Sequence, residues 1–289
     1  MSDPSAPIEP GLYLVATPIG NLEDITLRAL RVLKGVDRIA CEDTRQTQKL
    51  LNHFAISTPT VSYHEHNEQS RTAELIALLQ QGGRVAVVSD AGTPAFSDPG
   101  LEVVKAALAA GVPVIPIPGA NAALSALVAS GMDTDRFLYA GFLAAKPGAR
   151  RTELEALAAK ADGLTLVLYE APHRILETLV DVEAVWGEQA RVVVARELTK
   201  LHEEFLRGTA GEVWRTLSAR DRIRGEMVLL IEATSVQPAN LSSTVMQQVS
   251  HLMEAEGLDE KDALKRVARD RGVSKSEVYR ELQRQRSKK

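Results

Sequence analysis

The sequence predicts an α/β protein: two α/β domains in tandem, followed by a C-terminal helical domain resembling a helix-turn-helix. Three observations carry this. From Gly11 onward, short apolar runs alternate with amphipathic stretches in a βαβα rhythm, the pattern of a mostly parallel sheet covered by helices on both faces. A second series of the same kind begins near Arg136. Beyond a polar linker, Ala233 to Ser243, residues 244–289 carry helical patterning alone. The expected divisions are a disordered leader over 1–10, α/β domains over 11–120 and 121–235, and a helical tail over 236–289.

The elements follow in order. The leader holds three prolines and no periodicity. Leu12 to Ala16 is a buried strand, and Ile25 to Lys34 a helix stopped by Gly35. Val36 to Ala40 is a second strand, followed by a helix over Thr44 to Asn52. Arg84 to Ser89 is the next strand, and Leu101 to Ala110 a helix closed by Gly111. Val112 to Ile117 contains Pro113 and Pro116, which confine it to an edge. An alanine-rich helix, Ala120 to Ser130, ends at Gly131. In the second series the strands are Phe137 to Phe142, Leu164 to Tyr169, Arg191 to Ala195, Glu203 to Gly208 and Glu226 to Glu232. Helices fall at about 150–160, 173–185 and 211–218, and the short spacing of the last two strands points to an antiparallel component. In the tail, Ser274-Lys275-Ser276-Glu277 is a capping box just after the turn residue Gly272. A helix, a turn and a second helix rich in Lys and Arg fit a nucleic-acid-binding helix-turn-helix, or a small bundle that only packs on a neighbour.

Composition excludes several classes. Apolar residues make up 45% of the 289 and charged residues 25%, ordinary for a globular protein. The single cysteine, Cys41, rules out a disulfide framework and an all-cysteine metal site, and suits a reducing compartment. No apolar run approaches the roughly 18–20 residues of a membrane span, and no basic-then-apolar leader opens the chain; a soluble cytoplasmic protein is expected. The net charge of −4 is uneven: residues 236–289 hold 11 Lys/Arg against 8 Asp/Glu, the rest 23 against 30. A basic tail on an acidic body points weakly to an anionic partner.

In open α/β sheets ligands bind beyond the carboxyl ends of the strands. The first such junction, Thr17-Pro18-Ile19-Gly20-Asn21, lacks a three-glycine dinucleotide fingerprint, and no Gly-Lys pair exists to make a Walker loop. The second, Cys41-Glu42-Asp43-Thr44-Arg45, sets two carboxylates beside an arginine. These residues either orient a hydroxyl or phosphate, or simply cap a helix through Asp43. The third, Ser89 to Gly100, packs twelve residues dense in Gly, Pro, Asp and Ser behind a buried strand, which places backbone groups against something small and polar. The fourth, Pro118-Gly119-Ala120-Asn121-Ala122-Ala123, puts small residues at a helix start. A shared binding cleft explains these loops better than packing alone.

Other candidates are thinner. In a strand, His64-Glu65-His66 would bring both imidazoles to one face, but no third ligand follows and no metal is expected. Glu170-Ala171-Pro172-His173-Arg174 reads as a helix start, and Arg196 to Glu204 as a solvated charge run.

Taken together, TPIGNLEDIT (17–26), CEDTR (41–45), SDAGTPAFSDPG (89–100), PGANA (118–122), GFL (141–143), EAPHR (170–174) and ARELTKLHEE (195–204) resemble the tetrapyrrole methylase superfamily of S-adenosylmethionine (SAM)-dependent methyltransferases. The likeness spans 11–232, and its rRNA-modifying branch also carries a helical tail. The resemblance implies a homodimer with SAM in the cleft between the two α/β domains. It places Pro18, Asp90, Ala91, Gly92, Thr93, Ala95, Phe96, Ala122 and Ala123 beside the cofactor from the first domain. Phe142, Leu143, Ala171, Gly225 and Glu226 would close over it from the second. CEDTR and ARELTKLHEE point to the RNA branch, hence to 2′-O-methylation of a decoding-centre cytidine in 16S rRNA, on free RNA or the small ribosomal subunit. Where the family usually has GFLP this chain has GFLA, with Ala144.

Displacing a methyl group from a sulfonium to a ribose hydroxyl needs in-line alignment and a proton acceptor. The candidates are Asp43 or Glu42, with Lys200 and Glu204 opposite, while Arg45, His64, Arg174 and Arg196 would hold phosphates or the base. Two alternatives stay open: methylation of a small tetrapyrrole, disfavoured by 4% aromatics, and a ligand-sensing DNA-binding regulator.

Overall fold

The computed structural model describes residues 7–233, 244–270 and 273–286, and it divides into two compact units, Met1–Thr234 and Ser235–Lys289. Most of the expected leader, the linker after Ala233 and the turn at Gly272 lie outside the described residues.

The larger unit holds two five-stranded sheets. The first comprises β1 (Gly11–Val15), β2 (Arg38–Cys41), β3 (Thr60–Ser62), β4 (Arg84–Val88) and β5 (Val114–Ile117), all parallel, in the order β3-β2-β4-β1-β5. Its helices are α1 (Leu27–Gly35), α2 (Thr44–His53), α3 (Glu68–Gln80) and α4 (Leu101–Ala109). Tyr13, Val15, Ile39, Cys41, Ala86 and Val88 pack with Val32 and Leu33 of α1 and Leu51 of α2. The alternate residues Leu12, Ala40, Val85 and Val87 pack with Leu75 and Leu79 of α3 and Val103 and Ala107 of α4. Burial on both faces is why these strands read as unbroken apolar runs. Proline-containing β5 takes the expected edge.

β3 and α3 are additions to the sequence reading. The strand has three residues, and on α3 the apolar Ile76 and Leu78 sit off the buried line of Leu75 and Leu79, which blurs the helical period. His64-Glu65-His66 is not a strand but part of the turn between them, where Asn67 Oδ1 accepts the His64 N–H at 2.9 Å.

α5 (Ala122–Ser130) leaves the first sheet and packs on the second. That sheet runs β6-β7-β10-β8-β9, with β6 (Phe137–Phe142), β7 (Leu164–Glu170), β8 (Arg191–Arg196), β9 (Glu204–Thr209) and β10 (Met227–Ala233). Of its pairs, β6–β7 alone is parallel. The antiparallel component expected in this series is thus present and makes up most of the sheet. β8 and β9 are joined by seven residues (197–203), too few for a crossover, and β10 inserts antiparallel between β7 and β8. Leu166, Leu168, Val192, Val194, Leu229 and Ile231 face α6 (Pro147–Lys160), α7 (Ile175–Trp186) and α8 (Ala210–Ser218). Their alternates Val167, Val193, Val228 and Leu230 face Ala123, Ala126 and Leu127 of α5.

The smaller unit is α9 (Val245–Glu256), α10 (Glu260–Asp270) and α11 (Lys275–Arg286) around Val245, Val249, Leu264, Val267, Val278 and Leu282. The capping box is present: Glu277 N–H donates to Ser274 Oγ at 3.3 Å, and Ser274 N–H to Glu277 Oε2 at 2.8 Å.

Candidate active site between the two sheets

The chain leaves β1 at Thr17, whose hydroxyl donates to the Ser89 carbonyl at 3.1 Å. Thr17 and Gly92 exchange both backbone hydrogen bonds, at 2.9 and 3.0 Å. Thr93 Oγ1 donates to the Ala120 carbonyl at 3.3 Å. Three of the loops beyond the strand ends are thereby laced into one wall. Within the long loop the backbone is left-handed at Gly92 (φ 82°), Ala95 (64°), Ser97 (61°) and Gly100 (139°). Two of the four are not glycine, and such strain persists only where surrounding contacts over-determine it. Around Ser97 those contacts come from the second sheet: Ser97 Oγ and Tyr139 Oη share a 2.6 Å hydrogen bond, and the Phe96 ring stacks on Tyr139 at 4.1 Å, while the Ala95 N–H donates to the Pro99 carbonyl within the loop at 3.3 Å. β6 is irregular between Tyr139 and Gly141, where φ is 66° and a Cβ would stand 3.2 Å from Ser97 Oγ.

Between these walls lies a cavity of about 360 Å³. The first sheet supplies Ile19, Ala91, Gly92, Thr93, Phe96, Ser97, Asp98, Asn121 and Ala122. The second supplies Phe142, Tyr169, Glu170, Ala171, Pro172, Ala195, Leu198, Glu226, Met227 and Val228. Small residues make room, Phe96, Phe142 and Tyr169 offer ring faces, and three carboxylates, Asp98, Glu170 and Glu226, border the space. Burial, with the charge of Asp90 adding to it, raises the Asp98 carboxyl.

A strap over 197–203 edges the cavity. Glu197 (φ 51°) and Thr199 (66°) are left-handed non-glycines. Lys200 Nζ donates to Glu197 Oε1 at 2.9 Å and to Glu226 Oε2 at 2.8 Å. Its stem covers Gly20, where a Cβ would fall 2.4 Å from Lys200 Cγ; only glycine fits there. A Cβ on Gly225 would likewise meet the Glu197 side chain at 2.4 Å.

Of the residues expected at the cofactor, Ala91, Gly92, Thr93, Phe96, Ala122, Phe142, Ala171 and Glu226 line the cavity. The other six stand just behind it. Pro18 precedes Ile19, and Asp90 accepts the Asp43 N–H at 3.1 Å. Ala95 braces Gly100, Ala123 and Leu143 are core residues, and Gly225 seats Glu197. Ile19, Ser97, Asp98, Asn121, Glu170, Pro172, Ala195 and Leu198 belong to the quoted motifs but went unnamed as site residues. Tyr169, Met227 and Val228 look in sequence like ordinary strand residues and gave no signal.

None of the remaining candidates lines the cavity. Asp43 caps α2, takes the Arg45 N–H at 2.8 Å and is gripped by the Arg45 guanidinium, which with the backbone bond holds its carboxyl down at about 2. Glu42 is raised, chiefly by burial and then by the charges of Asp90, Asp98 and Glu65. Lys200 is raised by its two carboxylates against the opposing effect of burial. Glu204 is paired with Arg220 and Arg196, which hold it at about 2. Arg196 also donates to the Arg224 and His202 carbonyls, and Arg174 to those of Leu143 and Ala144 at 2.7 and 3.1 Å. Both guanidiniums thus brace their own loops. His64 Nε2 lies 3.2 Å from Asn67 Nδ2.

The model of the tetrapyrrole (corrin/porphyrin) methylases matches residues 11–213. The chain belongs to the tetrapyrrole methylase family. It is 51% identical to the "Ribosomal RNA small subunit methyltransferase I" of Halalkalibacterium halodurans, over 93% of each chain. It is 47% identical to the protein of that name from Bacillus subtilis, over 93% of this chain and 92% of that one. Among solved structures, uroporphyrin-III C-methyltransferase of Thermus thermophilus aligns at TM-score 0.53 and 21% identity, covering 77% of this chain and 94% of that one. A conserved protein of Aeropyrum pernix aligns at TM-score 0.60 and 19% identity, over 78% and 85%. These two share the fold of this chain. As a tetrapyrrole methylase the chain is a methyltransferase, which sets aside a purely regulatory role.

Proposed function

We propose that this methyltransferase moves a methyl group from SAM to the 2′-hydroxyl of a cytidine ribose in the decoding centre of 16S rRNA. In this reading it acts in the cytoplasm as a homodimer, with the basic helical tail helping to hold the RNA. The observation that carries the reading is the 51% identity, over 93% of both chains, to a protein named for ribosomal RNA small subunit methylation. Among the described residues no helix is long and apolar enough to cross a membrane.

The cavity suits SAM on its own chemistry. Phe96, Phe142 and Tyr169 present faces for a purine, and the Asp98 carboxyl, which unlike Glu226 is not paired with Lys200, suits a ligand that carries positive charge. Bound there, SAM would supply a methyl group activated on a sulfonium. The chain must align the ribose oxygen and take its proton. Of the four candidates, Glu42 is the best acceptor: its carboxyl is raised, whereas Asp43 and Glu204 are held low by arginines and Lys200 is a paired cation. Asp43 then orients Arg45 and the start of α2. A base must be ionised to act, so turnover rises with pH through a Glu42 pKa above the ordinary carboxylate value. Glu42→Gln is expected to lower kcat about 100-fold or more while leaving SAM affinity intact; unchanged turnover would remove Glu42 from this role.

The reading as a whole is tested with labelled SAM offered separately to naked 16S rRNA, small subunits and a porphyrin. Label in a ribose of the RNA supports it. Label in the porphyrin alone would replace it with tetrapyrrole methylation.

A further inference from the structure

α2 carries a concave polar strip outside the cavity. Thr44, Arg45, Gln48, Lys49 and Asn52 recur at helical spacing and, with Thr60 of β3, line a groove of about 450 Å³. The opposite side of the helix, Thr47 and Leu51, is buried. Every side chain lining the groove can hydrogen-bond, and both charges are positive. Arg45, 87% exposed, is balanced by Asp43. Lys49 is not balanced: its ammonium donates to the neutral Gln46 Oε1 at 2.8 Å, and among the described residues it forms no ion pair. Gln48 Nε2 donates to Asn52 Oδ1 at 2.8 Å, leaving further amide donor and acceptor capacity on the groove wall.

The strip adjoins the reaction centre. Thr44 follows Asp43, whose N–H is held by Asp90, and Asp90 leads directly into Ala91 and Gly92 of the cavity wall. Residues 1–235 hold 23 Lys/Arg against 30 Asp/Glu, so a polyanion approaching the cavity needs a local cationic track. From Thr44 to Asn52 the helix runs about 12 Å.

We propose that this groove receives the ribose–phosphate backbone of single-stranded RNA beside the nucleotide being methylated, an inference that rests on the RNA reading above. Lys49 and Arg45 meet phosphates, while the Gln48 and Asn52 amides reach 2′-hydroxyls or base edges, which separates RNA from DNA. Such contacts position the strand and belong to binding rather than to the chemical step.

The test compares the full-length protein with a Gln48→Ala/Lys49→Met/Asn52→Ala variant and a Lys49→Arg control. It measures KM and kcat for small subunits, SAM affinity, Tm, and the salt dependence of binding to a single-stranded oligoribonucleotide. The triple variant should raise KM about three- to tenfold with kcat and SAM affinity unchanged, and shallow the log–log salt slope by about 0.7 per phosphate lost. Lys49→Arg should keep the slope. If the wild-type protein methylates RNA while the triple variant shows the same KM and slope, the groove is overturned and the RNA reading stands. If the wild-type protein neither binds nor methylates RNA, the RNA reading falls and takes the groove with it. Competition by polyglutamate equal to that by the oligoribonucleotide would assign the groove to an acidic protein segment instead.

Discussion

Glu204 shows how one catalytic candidate is committed to the fold. Arg220 and Arg196 both donate to it, and its carboxyl is held at about 2 against an ordinary 4.5. A folded-state pKa below the unfolded value contributes stability that is fully present above the unfolded pKa and is lost as pH falls through the folded one. Glu204→Gln is therefore expected to cost up to about 3 kcal/mol at neutral pH. The gap from wild type should close progressively between about pH 4.5 and 2. Urea unfolding of both proteins at stepped pH checks this; a gap independent of pH would contradict the assignment. In sequence, Arg196 to Glu204 looked like a solvated charge run, because spacing along the chain cannot show that Arg220, sixteen residues on, closes over Glu204.

The long loop and the strands facing it carry the binding wall. Its SDAGTPAFSDPG segment was legible because only glycine, proline and small polar residues serve tight turns beside a ligand. The opposing wall was half legible. EAPHR and GFL announced themselves, but Tyr169, Met227 and Val228 follow the period of any buried strand and acquire a cavity face only when the sheets meet. β3 escaped notice for its brevity, and the antiparallel placing of β10 depends on strand neighbours far apart in sequence. The seam itself is testable. Tyr139→Phe removes the hydroxyl that holds Ser97 at 2.6 Å but keeps the ring stacked on Phe96. SAM affinity should fall about three- to tenfold, the worth of roughly one hydrogen bond, with little change in Tm. Unchanged affinity would mean that the strained loop holds its shape without the second sheet.

For the whole molecule the fold class was readable from rhythm: parallel βα units, a second α/β series and a capped helical tail all appear in the structure. The seam within the larger unit was less plain, because α5 follows a strand of the first sheet yet buries Ala123, Ala126 and Leu127 on the second. Charge distribution adds a prediction at this level. If the tail supplies attraction for RNA that the acidic body lacks, removing 236–289 should weaken RNA binding and flatten its salt dependence while SAM still binds. A salt slope equal to that of the full chain would assign the tail to packing instead. The central claim is that the cavity between the two sheets holds SAM. It is tested most directly by calorimetric titration of S-adenosylhomocysteine into ligand-free protein and into an Ala122→Trp variant whose added ring fills that space. The account predicts saturable heat with one site per chain in the first and its loss in the second, with both proteins folded; no heat in the wild type, or undiminished heat in the variant, would contradict it.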